Sequence, residues 1–244
     1  MGRAFEFRKA RKMKRWGKMA RDFTRIGREI VMAVKAGGPS PDSNLRLRAA
    51  MNNAKGVSMP KDRVEAAIKR AMSKEEKDFQ EVVYEGYLPH GVAVVIETAT
   101  DNPTRTVANI RHIFKGGGGS LGASGSSDFT FTRKGVFKLS FEGLDRDELE
   151  LELIDLGAED VYETTEEDEA GAEHTYIVAE TTFEGFGKMQ RALEEAGRNV
   201  VSSNLQRVPN ATVTLTDEQL EEVLPIIDKF EEDDDVQAVY HTVG

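Results

Sequence analysis

Cysteine is absent from the 244 residues. That excludes disulfides, a thiolate nucleophile and any Cys-ligated zinc, and it suits a reducing compartment. Histidine is scarce: His90, His112, His174 and His241 are scattered, with no HExxH or HxH spacing. They read as surface or capping residues rather than as metal ligands. No apolar run approaches the ~18 residues of a membrane span, and no hydrophobic signal core follows the N-terminus. The expectation is a cytoplasmic protein with no membrane partner.

Catalytic patterns are missing as well. Gly117-x-Gly119-x-x-Gly122 fits a dinucleotide fingerprint, but that motif must follow a strand and open a helix. Gly118-x-Ser120-x-Gly122 fits a nucleophile elbow, which needs the same context. Here the glycines close a helix instead. There is no GK[ST] phosphate loop. The acidic run Glu231 to Asp235 does not converge on one point, so it reads as a solvated charged loop rather than a cation site. The chain is expected to have no catalytic residues, no metal, no cofactor and no small-molecule substrate.

What is present is a strong charge asymmetry. The formal net charge is −10. Residues 1–73 hold 19 Lys+Arg against 6 Asp+Glu, a net +13, whereas residues 74–244 hold 14 against 37, a net −23. A basic part that meets polyanions and an acidic remainder that does not is the simplest reading. The densest basic segment is residues 1–21, with Phe5, Phe7 and Trp16 among its cations. It reads as an extended or partly helical arm whose cations neutralise phosphates and whose aromatics stack on bases. A solvated tail, or an arm folded onto the acidic half, is the alternative. The candidate nucleic-acid contacts are Arg3, Arg8, Lys9, Arg11, Lys12, Lys14, Arg15, Trp16, Lys18, Arg21, Arg25, Arg28, Arg46 and Arg48.

Periodicity sets out the rest as an α+β protein of three domains: a helical bundle and two ferredoxin-like α/β domains, one inserted in the other. After the arm (1–21), residues 22–76 give three short helices with apolar stripes such as Phe23, Ile26, Ile30, Val31 and Val34. A helix-turn-helix can be traced there, but nothing in the loops is specific to one. The EEKD run at 75–78 reads as a linker. Strands near 81–87 and 92–98, a strand at 211–215, a helix from Thr216 or Asp217 and a strand at 236–240 form a discontinuous domain, 77–134 plus 208–244. Between them, 135–207 reads β-α-β-β-α-β, the ferredoxin-like order. Its entry is drawn as a strand at 128–131, a tight turn at Arg133-Lys134-Gly135, and a second strand from Val136.

Asp101 to Gly122, DNPTRTVANIRHIFKGGGGSLG, joins a capped helix start to a glycine run. Val107, Ile110 and Phe114 form an apolar stripe. Arg105, Asn109 and His112 fall on roughly the opposite side, flanked by Arg111 and Lys115. Arg105, Arg111, Lys115, Gly119 and Gly122 are a candidate secondary contact face. A solvated face paired with neighbouring carboxylates fits that pattern equally well.

These stretches resemble the YebC family of regulatory proteins. The resemblance rests on YEGY (Tyr84 to Tyr87), DNPTRTVANIRHIFKGGGGSLG, GAEDV (Gly157 to Val161), DDVQAVYH (Asp234 to His241) and KAGGPSPDSNLRLRAAMNNAK, and covers nearly the whole chain. The start, GRAFEFRKARKMKRW, departs from the family's usual GHSKW-type segment and resembles a sub-branch. Pro103 replaces a more polar residue, and the glycine run is longer. Arg105, Thr106, Arg111, Phe114, Gly119 and Gly122 match. The resemblance implies a three-domain fold and a nucleic-acid partner. Members are generally described as probable DNA-binding transcriptional regulators. Others, including a mitochondrial relative that activates translation, act on the ribosome and are linked to relief of stalling at proline-rich stretches. DNA and ribosomal RNA are thus both expected targets.

Overall fold

The computed structural model describes residues 3–73, 78–127, 129–140, 142–167 and 172–244, with the backbone alone at 3–16 and 167. In chain order the helices and strands begin with α1 (Arg3–Gly37), α2 (Leu45–Gly56), α3 (Lys61–Ala71), β1 (Gln80–Tyr87) and β2 (Ala93–Thr100). Next come α4 (Pro103–Gly116), β3 (Ser120–Leu121), β4 (Phe131–Leu139), α5 (Arg146–Asp155) and β5 (Asp160–Glu167). The chain closes with β6 (Glu173–Thr182), α6 (Phe186–Glu195), β7 (Val200–Pro209), α7 (Asp217–Glu232) and β8 (Val236–His241).

The chain forms two compact units, Met1–Lys74 with Lys134–Leu205 and Glu75–Arg133 with Gln206–Gly244. The helices and the insert, drawn as separate domains from the sequence, therefore pack within one unit. The EEKD linker falls largely outside the described residues.

In the first unit α1 is one unbroken helix of 35 residues. This corrects the extended or partly helical arm: residues 3–21 continue the helix that forms the bundle. The local cause is composition, since the segment is rich in Arg, Lys, Met and Ala and has no proline. Ile26, Ile30, Val31 and Val34 bury against α2 and α3, where Leu47, Ala50, Val64 and Ala67 face them. Asn44 closes the corner between α1 and α2. Its side-chain oxygen accepts from Leu47 N–H at 3.0 Å, and its amide donates to Ala33 and Gly38 carbonyls at 2.7 and 2.9 Å. Gly38 takes φ +86°, which releases the chain from the helix.

The insert carries a sheet of order β5-β6-β4-β7. Numbered within the insert, that is 2-3-1-4, the split β-α-β arrangement anticipated from the element order. α5 and α6 supply Leu149, Leu153, Met189 and Leu193 to a core with Phe137, Leu139 and Ile177. Phe137 stacks on Phe186 with ring centroids 4.9 Å apart. The turn expected at residues 133–135 does not form; β4 runs straight through it. Gly135 is a glycine for space, because a Cβ there would lie 2.8 Å from the Phe186 ring and 2.9 Å from Thr181 Cγ2. Of the strand expected at 128–131, residue 128 lies outside the described residues, 129 and 130 form a turn, and Phe131 opens β4.

Still within this unit, the bundle is held to the insert by polar groups. Asn53 accepts from Ser203 N–H at 2.9 Å and donates to Ser203 O at 3.1 Å and Asn204 Oδ1 at 2.6 Å. Arg48 pairs with Glu194 at 2.6 Å. Gly56 lets α2 end against β7, where a Cβ would sit 2.1 Å from Val201 O.

The second unit has a sheet of order β3-β1-β2-β8, antiparallel throughout. Here the β1–β2 hairpin occupies the centre, so the split β-α-β order of the insert is not repeated. α4 and α7 cover one face. Ile96, Ile110, Phe114, Val223, Ile227 and Phe230 fill that core, with Phe114 and Phe230 centroids 4.7 Å apart. On the other face Ala93, Val95 and Phe131 bury together beside Val83 and Tyr240. Burial on both faces explains the apolar run from Val92 to Ile96. The strand expected at 211–215 is only an isolated parallel bridge, Val213 to Val243.

Candidate nucleic-acid interface

The register of α1 sorts its residues at ~100° per position. Positions 18, 21, 25 and 28 share one side, each Lys or Arg, while 23, 26, 30 and 34 share the other. Lys18 is exposed and Arg21, Arg25 and Arg28 are half-buried. Continuing the same register outward, positions 3, 11 and 14 fall on the cationic side, 15 lies between the two sides, and 8, 9, 12 and 16 fall on the apolar side. The side chains of Arg3, Arg8, Lys9, Arg11, Lys12, Lys14, Arg15 and Trp16 lie outside the described residues. Spacings of 3 and 4 from Arg11 through Lys14, Lys18, Arg21 and Arg25 to Arg28 make a cationic stripe along the helix. Arg25, Arg28 and Arg46 also engage neighbours inside the protein. Arg48 is part of the fold: besides Glu194 it donates to Pro41 and Asp42 carbonyls at 3.0 and 2.8 Å.

The secondary face on α4 divides. Arg105 donates to Asp235 at 2.7 Å and to Asp101 at 3.1 Å. Asp235 is buried and also accepts from Thr106 at 2.8 Å and Thr100 at 3.2 Å. Asn109 donates to Asp233 at 3.2 Å. The end of the acidic run is thus an internal anchor, which corrects the solvated-loop reading for Asp233 and Asp235. Arg111, His112 and Lys115 stay exposed on the solvent side of α4.

Gly119 and Gly122 are closure points, not an anion cradle. The N–H groups of Gly117, Gly118, Gly119 and Gly122 donate to the carbonyls of Ile113, Lys115, Phe114 and Glu85. Gly118 takes φ +72°. A Cβ on Gly119 would lie 2.6 Å from Tyr87 O. These donors face the protein, and the chain turns from α4 into β3 through them.

Sequence reading missed the loop beyond. Glu85, buried in β1, accepts from Ser127 N–H and Oγ, both at 2.7 Å, and from Gly125 N–H at 2.9 Å. Burial alone would raise its carboxyl, but those three donors, with Arg207 nearby, bring it below the usual carboxylate range. A charged residue inside the apolar strand QEVVYEGY was the available signal. Among the described residues, no group of three or more His, Asp and Glu could hold a metal ion, and no helix is long and apolar enough to cross a membrane.

Among the described residues, seven helices, the first of them cation-striped, and two antiparallel sheets define an α+β protein. The chain belongs to the TACO1/YebC family. Residues 3–74 match the family's N-terminal domain, and residues 79–243 match its second and third domain. It is 53% identical over 243 residues to a probable transcriptional regulatory protein of Flavobacterium johnsoniae, covering 100% of this chain and 99% of the relative. It is 51% identical over 244 residues to one from Anaeromyxobacter dehalogenans, covering both chains fully. A crystal structure of a conserved hypothetical protein from Aquifex aeolicus superposes with TM-score 0.79 at 35% identity, covering 92% of this chain and 90% of that one.

Proposed function

We propose that this protein is a cytoplasmic nucleic-acid-binding regulator of gene expression that works by binding, without catalysis or cofactor, through α1. The cationic stripe carries the reading. It runs along one side of a helix in a chain whose net charge is −10, and spaced cations on a rigid helix neutralise phosphates at low ordering cost. The relatives are named probable transcriptional regulatory proteins, which supports a DNA target. A helix fits the major groove of duplex DNA, which is about 12 Å wide.

A ribosome-associated translation factor is the second reading. It is favoured by the register of α1, which puts position 7, a phenylalanine, on the cationic side. Aromatics among cations suit unpaired RNA bases. In that case the partner is ribosomal RNA, and relief of stalling at proline-rich stretches is the activity.

Co-sedimentation with ribosomes and binding to duplex DNA, each across a salt series, separates the two. Both readings expect a steep fall of affinity with salt. Failure to co-sediment at low salt removes the second. Salt-independent binding, or none to either target, removes both.

A further inference from the structure

Arg48 and Arg105 are held by carboxylates, as are Arg198 and Arg207. Arg63 on α3 is held differently. Its guanidinium carbon stands 5.5 Å from the centroid of the Phe23 ring on α1. Among the described residues its guanidinium makes no hydrogen bond or ion pair. The carboxylates nearest in sequence leave it alone: Glu65 pairs with Lys61 at 3.6 Å, and Asp62 forms no ion pair with it. Arg63 is exposed and Phe23 is half-buried.

That pairing leaves the cation available. A ring attracts a guanidinium without taking its in-plane N–H donors. Arg63 therefore keeps a fork that matches the oxygens of a phosphate, whereas a carboxylate in the same place would cancel its charge. The ring also restricts the side chain beforehand, which lowers the ordering cost of a contact. A free phosphate ion needs several converging donors, but one guanidinium beside a cationic helix suits one phosphate of a chain.

The pair stands where α1 leaves the bundle. Toward the bundle Ile26 and Ile30 are buried, and toward the N-terminus Met19 is half-buried and Ala20 exposed. By the register, Phe23 lies on the side of α1 away from Lys18, Arg21, Arg25 and Arg28. Residues 1–73, which carry both features, hold a net +13.

We propose that Arg63 is a phosphate contact of the bound nucleic acid, with Phe23 as the positioning residue that holds it. The proposal rests on the nucleic-acid reading above and adds a second helix to it. Cations on opposite sides of α1 mean that the nucleic acid closes round the helix, as a groove or a folded strand does, instead of lying along one side.

The test uses the full chain with a labelled DNA duplex and a labelled RNA hairpin, each of about 16 base pairs, across a salt series. On whichever probe binds, Arg63→Ala is expected to weaken binding about tenfold at low salt. It should also lower the slope of log affinity against log salt by about one. The melting temperature should change little, because the side chain is exposed. Arg63→Lys should keep the slope and lose part of the affinity, since an ammonium keeps the charge without the fork. Phe23→Leu should weaken binding when Arg63 is present and have no further effect in Arg63→Ala, the coupling that a positioning role requires. Wild-type affinity and slope in Arg63→Ala, with the slope still lowered in the Lys18→Ala, Arg21→Ala double variant, overturns this contact and leaves the α1 reading standing. An equal loss in Lys69→Ala, exposed on another side of α3, shows diffuse charge and also overturns it. Additive effects of Phe23→Leu and Arg63→Ala overturn the positioning role. A chain that binds neither probe at low salt overturns both the contact and the reading beneath it.

Discussion

Arg105 Nη2 lies 2.7 Å from Asp235 Oδ2, although the two residues are 130 positions apart. The contact ties the first turn of α4 to the approach of β8 and crosses the whole insert in sequence. Asp235 is the hub, since Thr100 and Thr106 also donate to it. Asp235→Ala should therefore lower stability by about 1–3 kcal/mol, the cost of leaving the buried Thr100 and Thr106 hydroxyls without their acceptor, measured as a shift in the urea midpoint.

Arg105 and Arg111 should part company on α4. Arg105→Ala should lower the melting temperature, because it leaves Asp235 without its cation. Arg111→Ala should leave melting unchanged, because its side chain is exposed. Differential scanning calorimetry of the single variants separates the roles. An equal fall in both would show that Arg111 is structural too.

On α1, Lys18→Ala with Arg21→Ala should reduce the slope of log affinity against log salt by about two if both contact phosphate. Far-UV circular dichroism should be unchanged, since neither residue belongs to the buried stripe.

Glu85 predicts an acid sensitivity. Its carboxyl is held below the usual range, so the folded form prefers it ionised. That contribution is fully present above the unfolded value of about 4.3 and is lost as pH falls through the depressed folded value. Glu85→Gln should cost about 2 kcal/mol at pH 7, the scale of hydrogen bonds to a charged group. The gap to wild type should narrow towards pH 3. Urea midpoints across that range give the measurement, and a gap that widens in acid contradicts it.

Gly56→Ala should destabilise the first unit by about 1–3 kcal/mol, the usual cost of overpacking, because its Cβ would meet Val201 O at 2.1 Å. Hydrogen exchange should show lost protection in β7 with α1 still protected.

The helical periods, the insert and its strand order were legible because each rests on local spacing. The 2-3-1-4 sheet follows from β-α-β-β-α-β with short connections. The turn at 133–135 misled because Arg-Lys-Gly has turn chemistry, and the glycine is explained by Thr181 and the Phe186 ring, about 50 residues later. Helix α1 was drawn too short because a cationic segment without a regular core stripe carries no signal for burial, yet its residues favour helix. The candidate site was readable only as charge, and the placement of its residues was not. Arg48 and Arg105 look like their basic neighbours in sequence, and their partners Glu194 and Asp235 lie more than a hundred residues away.

The unbroken course of α1 has a mechanical consequence. At 1.5 Å per residue its 35 residues make a rod about 52 Å long. Its inner turns, Ile30 to Val34, are buried in the bundle and serve as a fulcrum. A tilt of about 10° there would sweep the first turn through about 7 Å. Whatever grips the outer turns therefore acts on the bundle with leverage, and a small shift of the bundle becomes a large excursion at the gripped end.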